Sequence, residues 1–432
     1  MLREALDRTL LLMRTRLVET VSDEALLDAL TSTTVVLIAD ERNLQSHAAQ
    51  SAFISAAMLM ARSGHSVHLV APNVPLFGAQ PPLSRDRLID GLLEVGTDLL
   101  PDVEFRIGEP DKADLAIALG DSAWNGQADL TLHINATRWA GELSAHSAHP
   151  WKERDWPFGA LAAAAITASE AFKVSMRQLQ KFAGSRVYDK YFAPALVANL
   201  VLAPEDTLTA LDVGAIDCVS GGAITNATLF ALARIPDVRG HVRVIEPECG
   251  DLSNLNRYPL MRRSRCGMRK IDDLGSQLLA GLKVDGVSLR YDEETRAVFD
   301  PLAPSVLVGV DHIPSRWLVQ EANPVWLAVG ATEDFFASVS FHAPKLACAG
   351  CAHPEYSEVD GSIPTVAFVS FIGGLMLAAL LAEHIAQQNL PLDQQRRIAT
   401  TLRLDQPVTW EALKVNERCP LHNRADREKM VA

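Results

Sequence analysis

Cysteine is scarce in this sequence, six residues in 432. That excludes a disulfide-built scaffold and points to a reducing cytoplasm, with metal ligation as the use for clustered thiols. Excess positive charge is lacking too: 40 Lys and Arg stand against 53 Asp and Glu, a net charge of −13. A general nucleic-acid surface is therefore not expected. The opening "MLREALDRTLLLMRTRL" mixes acids and arginines, unlike a secretory signal. Long apolar runs are absent but for "VAFVSFIGGLMLAALLA", residues 366–382. This run is at the short end of the membrane-spanning range, lacks a flanking Lys/Arg cluster and contains Ser370 and the Gly373–Gly374 pair. It reads as a buried core helix, and no membrane association is expected.

The composition, 48% apolar and 22% charged, is that of a globular chain with room for two or more domains. Short β-branched runs alternate with helical segments. In the first half strands are expected at 34–40, 66–72, 103–107, 114–121 and 130–136, with helices at 48–64, near 86–97 and at 159–173. The second half repeats the order: strand 215–219, helix 224–234, strand 242–246, a helix near 270–282, then strands 287–292, 305–311 and 325–331. A long helix begins near Pro364. Such alternation predicts parallel sheets with helices on both faces, so the fold class is α/β, two tandem Rossmann-like doubly wound domains. The boundary is placed in the helix and linker over 174–205, giving domains 1–180 and 181–432.

The chemistry concentrates in the second half. "VSGGAITN" (219–226) lies between a strand and a helix, where Gly221 and Gly222 allow a phosphate to approach a helix N-terminus. The corresponding "ADERNLQS" of the first half has no glycine, and no nucleotide is expected there. Glu246 ends the next strand, a place for an acid that accepts a ribose hydroxyl. "RYPLMRRSRCGMRK" (257–270) holds five Arg and a Lys with no acid, so it asks for an anion, such as a triphosphate. Asp311 follows a strand at its C-terminal end and could hold Mg²⁺ on phosphates.

In this order, "GG", "E…LSNLNR", Lys270 in "CGMRK" and "DHIPSR" resemble the adenylating superfamily of ubiquitin-activating enzymes and their ThiF–MoeB relatives. The resemblance covers roughly 210–422. It implies that Glu246 stands at the ribose-binding acid, Asn254 and Arg257 at the phosphate-contacting pair, Lys270 at the phosphate-binding lysine and Asp311 at the Mg²⁺-associated aspartate. It implies ATP and Mg²⁺, and attack by a substrate's C-terminal carboxylate on the α-phosphate, giving an acyl-adenylate. Family members pair two halves, and "LDRTLLL" (6–12) looks like the opening of such a half. Arg8 is then the arginine that reaches across to the other half's site, with an ordinary exposed helix arginine as the alternative. Residues 1–180 would be an inactive adenylation-like half, fused as a pseudo-dimer to the active one.

"CAGC" and "CPLH" supply Cys348, Cys351, Cys419 and His422, two pairs each separated by two residues. This spacing suits a closed Cys₃His structural zinc. The resemblance implies such a site, usually with Cys as the fourth ligand. It also implies a thioester cysteine between the first pair and the long helix, but residues 352–368 hold none. Of the remaining thiols, Cys218 reads as core and Cys249 follows two acids. Cys266 lies among arginines that would favour thiolate, making it the candidate nucleophile. The alternatives are that no thioester forms on this chain, or that a partner's cysteine takes the acyl group. The expected partners are a ubiquitin-like protein or another small carrier, and a conjugating enzyme. A sulfur carrier or ribosomal peptide, and a non-catalytic scaffold with a decayed nucleotide site, remain open. Whether two chains form a homodimer is open as well. A nicotinamide oxidoreductase fits poorly with the basic run and the Cys/His spacing.

Overall fold

The computed structural model describes residues 1–16, 21–183, 192–204, 208–277, 279, 281–356, 363–387 and 390–422. The first half builds a sheet from β1 (Thr34–Ile38), β2 (Ser66–Val70), β3 (Phe105–Ile107), β4 (Ala113–Leu119), β5 (Ala128–Ala136), β6 (Ala140–Ser144) and β7 (Val197–Val201). Its order is β3-β2-β1-β4-β5-β6-β7. The second sheet uses β8 (Asp212–Val219), β9 (Arg239–Ile245), β10 (Gly281–Val287), β11 (Ser305–Val308), β12 (Trp326–Glu333), β13 (Phe336–His342), β14 (Arg396–Thr400) and β15 (Thr409–Glu411). Its order is β10-β9-β8-β11-β12-β13-β14-β15. The five leading strands of each sheet run parallel in the same permuted order, which makes the chain a pseudo-dimer of Rossmann-like halves.

Beyond this shared unit each sheet continues antiparallel, through β6 and β7 in one and β13 to β15 in the other. These additions were not foreseen. β6 follows β5, and β13 follows β12, through short connections with no crossover helix to announce them, whereas the long helices Pro157–Ala183 and Ala367–Gln387 intervene before β7 and β14. The first sheet takes its last strand from Val197–Val201, past the expected limit at residue 180. Helix Pro157–Ala183 runs farther than the 159–173 expected, and part of the expected linker, 184–191, lies outside the described residues. The helix expected near 270–282 ends at Ser276, and the strand placed at 287–292 is in fact β10. Arg290 and Tyr291 consequently fall beyond the strand's C-terminal end rather than within it.

One continuous hydrophobic core serves both halves. Helices Pro157–Ala183 and Ala367–Gln387 pack on each other across the pseudo-dimer, with Phe172 5.6 Å from Phe368 between ring centres. Among the described residues, Ala367–Gln387 is the one helix long and apolar enough to cross a membrane, and 89% of its most apolar window is buried in the fold. Gly374 lets it lie against helix Ala223–Leu232: a Cβ there would sit 2.5 Å from Ala227 Cβ and from Ile224 O.

Candidate active site

The site forms where β8, β9 and β11 end. After Val219 the chain turns sharply, and Gly222 caps helix Ala223–Leu232. Ser220 takes a φ of 92°, a strained value for a residue with a side chain. Its hydroxyl accepts from Gly222 N–H at 3.0 Å, which braces the turn. Glu246, buried just past β9, accepts from Gly221 N–H at 2.8 Å and from Glu248 N–H at 3.0 Å. Gly221 itself points no side chain at this carboxylate; a Cβ would stand 3.0 Å from Glu246 Cγ. Glu246 therefore organises the glycine turn while bordering the cavity.

The segment after β9 closes one wall. Asp251 and Asn254 form a capping box, with Asn254 Oδ1 accepting from Asp251 N–H at 3.1 Å. Arg257 donates to Ser253 O, and to Asn256 Oδ1 at 2.9 Å. Lys270 begins helix Lys270–Ser276; its Nζ donates to Glu248 Oε2 at 2.6 Å and lies 3.9 Å from Glu246 Oε1. Burial alone would lower the Lys270 pKa, but Tyr258, Glu246 and Glu248 together hold it above the ordinary lysine value. Burial lowers the Arg257 pKa, with Arg8 adding to the effect and Tyr258, Asp311 and Asp251 opposing it.

A cavity of about 410 Å³ unites these groups. Its lining includes Gly222, Glu246, Asn254, Arg257, Lys270 and Asp311. Arg8 joins them from helix Asp7–Arg16, donating to Ile363 O at 3.5 Å, with its Nε buried and lacking a hydrogen-bond partner. Asp311 faces the open cavity and is reachable by solvent, yet it is surrounded by protein mass. Burial raises its pKa, and Arg316, Arg257, Arg8 and Lys270 pull it back down. Tyr258, Arg290, Ser315, Thr332 and Thr365 also line the cavity and were not singled out in the sequence. Tyr258 carried a signal, its place directly after Arg257; Thr332 carried none.

The basic run divides in two. Arg257 and Lys270 face the cavity, whereas Arg262 pairs with Glu94 at 3.1 Å, Arg269 with Asp272 at 2.7 Å, and Arg263 lies 3.9 Å from Asp98. The anions this run asked for are thus largely carboxylates, two of them in the first half. Cys266 does not line the cavity; it is half-buried against the core. Burial, then Asp251, Asp98 and Asp273, raises its pKa over the opposing effect of Arg263. The expectation of a thiolate favoured by neighbouring arginines is therefore corrected: burial and the nearby carboxylates outweigh Arg263. Cys218 is core, as expected.

A second constellation lies beyond β13 and β15. Cys348, Cys351, Cys419 and His422 bring their ligand atoms within 4.8 Å of one another. Cys348 Sγ is 3.6 Å from Cys351 Sγ and 3.4 Å from Cys419 Sγ, and Cys351 Sγ is 3.7 Å from His422 Nδ1. Tetrahedral zinc with sulfur at about 2.3 Å separates its thiolates by roughly 3.8 Å, so the donor set and spacing fit zinc. Gly350 makes the approach feasible, because a Cβ there would be 2.9 Å from Cys419 Sγ. Burial and the neighbouring thiols push Cys348 up to about 12. Such thiols ionise when a dication is bound to them.

Paired Rossmann-like halves, with a cavity of mixed charge at the strand ends of one and a Cys₃His cluster, are the arrangement that the resemblance of the motifs to the ubiquitin-activating, ThiF–MoeB-type superfamily implied. Residues 34–189 match the family model of the BilD N-terminal domain. An uncharacterized protein y4jF of Sinorhizobium fredii (strain NBRC 101917 / NGR234) is 28% identical over 219 residues, 49% of this chain. The aligned part covers 41% of that relative, so the chain spans less than half its length. Crystal structures of E. coli MccB are similar at the level of coarse architecture. The complex with ATP is 17% identical, covers 60% of this chain and 85% of that one, and has a TM-score of 0.41. The complex with succinimide is 17% identical, covers 48% and 66%, and has a TM-score of 0.40.

Proposed function

We propose that this chain uses ATP to adenylate the C-terminal carboxylate of a ubiquitin-like protein, which a conjugating enzyme then receives. The observation that carries the reading is the convergence of Arg8, Arg257, Lys270 and Asp311 on one cavity beside a glycine-capped helix N-terminus. Arg8, Arg257 and Lys270 neutralise the phosphate oxygens, usually the largest catalytic contribution in phosphate chemistry. Asn254 borders the same phosphates, and Glu246 has acceptor capacity left for a ribose hydroxyl. Asp311 would hold Mg²⁺, which supplies charge neutralisation on the phosphates. The incoming carboxylate is already ionised at neutral pH, with a pKa of about 3.5. No general base is needed: a carboxylate oxygen bonds to the α-phosphorus, the bond to the β-phosphate oxygen breaks, and pyrophosphate leaves.

Among the described residues no cysteine lines the cavity. The reading therefore passes the acyl group to a nucleophile carried by the conjugating partner, whose attack on the acyl carbon breaks the bond to the phosphate oxygen and releases AMP. Residues 357–362, within the stretch where the resemblance implies a cysteine, lie outside the described residues and hold none in the sequence. Zinc at the Cys₃His cluster would tie the C-terminal segment to the second half.

The test is ATP–pyrophosphate exchange with a Gly-terminated ubiquitin-like protein, run beside a sulfur carrier and a short peptide. Exchange that depends on the ubiquitin-like protein is expected. Exchange with only the peptide or the sulfur carrier would replace the substrate and keep the chemistry. No ATP binding by calorimetry would leave a scaffold.

A further inference from the structure

The first half sends one buried side chain into the wall of the second half's cavity. Arg62 ends helix His47–Arg62 and is 0% exposed. It donates to Leu255 O at 2.5 Å, to Pro259 O at 3.1 Å and to Met261 O at 2.5 Å. Asn254, Arg257 and Tyr258, all lining the cavity, belong to this same short segment. Burial pulls the Arg62 pKa down to about 9, with Asp273 and Asp98 acting against it. A charge so deeply buried is tolerable only with good hydrogen bonds. The oxygens come from one stretch of backbone, so that stretch must hold the shape that presents all three.

Two further tethers act on the same segment. Leu260 N–H donates to Asn226 Oδ1 at 2.8 Å, from the helix that Gly222 caps. Asn256 Nδ2 donates to Thr9 Oγ1 at 3.2 Å, next to Arg8. From this geometry we infer that Arg62 is a positioning residue for the nucleotide cavity: the first half shapes the second half's site by gripping the carbonyls of 255–261. The nucleotide part of this inference rests on the function proposed above.

The pseudo-dimer supplies an internal control. Arg234 follows the matching helix of the second half, is 1% exposed, and donates to Phe230 O at 2.9 Å, Gln80 Oε1 at 3.1 Å and Pro81 O at 2.5 Å. It reaches into the first half in the same way, but Gln80 and Pro81 do not line the cavity.

The experiment compares Arg62→Met, Arg62→Lys and Arg234→Met in the full chain. It measures amide hydrogen exchange over 254–261 without nucleotide, ATP affinity by calorimetry, and thermal unfolding. Both Met variants should unfold at lower temperature. Only Arg62→Met should expose the 254–261 amides and weaken ATP binding, by about tenfold or more from the lost charged hydrogen bonds. Arg62→Lys should fall between it and the wild type. The inference is overturned if Arg62→Met matches Arg234→Met in both exchange and ATP affinity, or frees the segment without changing affinity. Should Arg62→Met fail to fold, wild-type exchange and affinity in Arg62→Lys would overturn it. Absence of ATP binding by the wild type would sink the nucleotide reading, and exchange over 254–261 would still decide whether Arg62 holds the segment.

Discussion

After its first strand each half turns toward the C-terminal edge of its sheet, and there the halves part. Past β8 the turn is Ser220-Gly221-Gly222, and a cavity opens in front of it. Past β1 the turn is filled. Asn43, buried, donates to Asp121 Oδ1 at 2.9 Å and Ser122 Oγ at 3.1 Å, and accepts from Trp151 N–H at 2.8 Å. Arg42 pairs with Asp121 at 2.7 Å. Gly120 shows how tightly this is packed, since a Cβ there would lie 2.6 Å from Asn43 Oδ1. One topology can thus present strand ends as a ligand site or consume them as hydrogen bonds. The difference lies in whether the turn's polar groups are spent on each other. The filled half is not idle: it contributes Arg8, Thr9 and Arg62 around the open one.

Asp311→Ala gives the sharpest test of this contrast. Pyrophosphate exchange should fall by roughly 10²–10³-fold, as for removal of a group that stabilises developing charge, with the fold intact by circular dichroism. Full exchange would remove the distinction between the halves. Next in size is the Cys₃His cluster, which only the second half possesses among the described residues. Elemental analysis should find one zinc per chain, and a chelator or Cys419→Ser should lower the unfolding temperature markedly. Apparent zinc binding energies are on the order of 10 kcal/mol. A Cys419→Ser protein with wild-type metal content and stability would contradict the assignment.

Acid pH should weaken both halves. His65 in the first and His342 in the second are buried, and burial lowers each pKa from 6.5 to about 4. Between those values the unfolded chain binds more protons, so stability present above pH 6.5 is lost as pH falls toward 4. The loss is on the order of 3 kcal/mol for each histidine. His65→Gln should flatten part of this acid limb in urea titrations, and an unchanged limb would argue against a neutral buried His65. Arg42→Ala should have the smallest effect, leaving exchange unchanged and altering stability by about 0.5 kcal/mol. A large loss of exchange would mean that the filled turn after β1 takes part in the chemistry.

Much of the site could be read from the sequence, because it rests on short-range pattern. Glu246, Asn254, Arg257 and Lys270 lie close together in the chain, and Asp311 follows β11, the parallel neighbour of β8. Each was expected at the cavity, and each lines it. The Cys and His pairs were legible for the same reason, through their spacing. The β6–β7 and β13–β15 extensions were not, since an edge strand's partner is set by the sheet it joins. Nor was the fate of the basic run: Arg262 and Arg263 meet Glu94 and Asp98 from far away in sequence, and those pairings also changed the surroundings of Cys266.

The sequence by itself determined the parallel α/β halves, the motif residues and the Cys₃His set, since local periodicity and spacing suffice for these. Only the tertiary structure decided which charges stay free for a ligand, that Arg8 enters the other half's cavity, and that Arg62 holds its wall. Those outcomes depend on burial and on partners distant along the chain, and a charge gains or loses its chemistry according to what lies beside it in space.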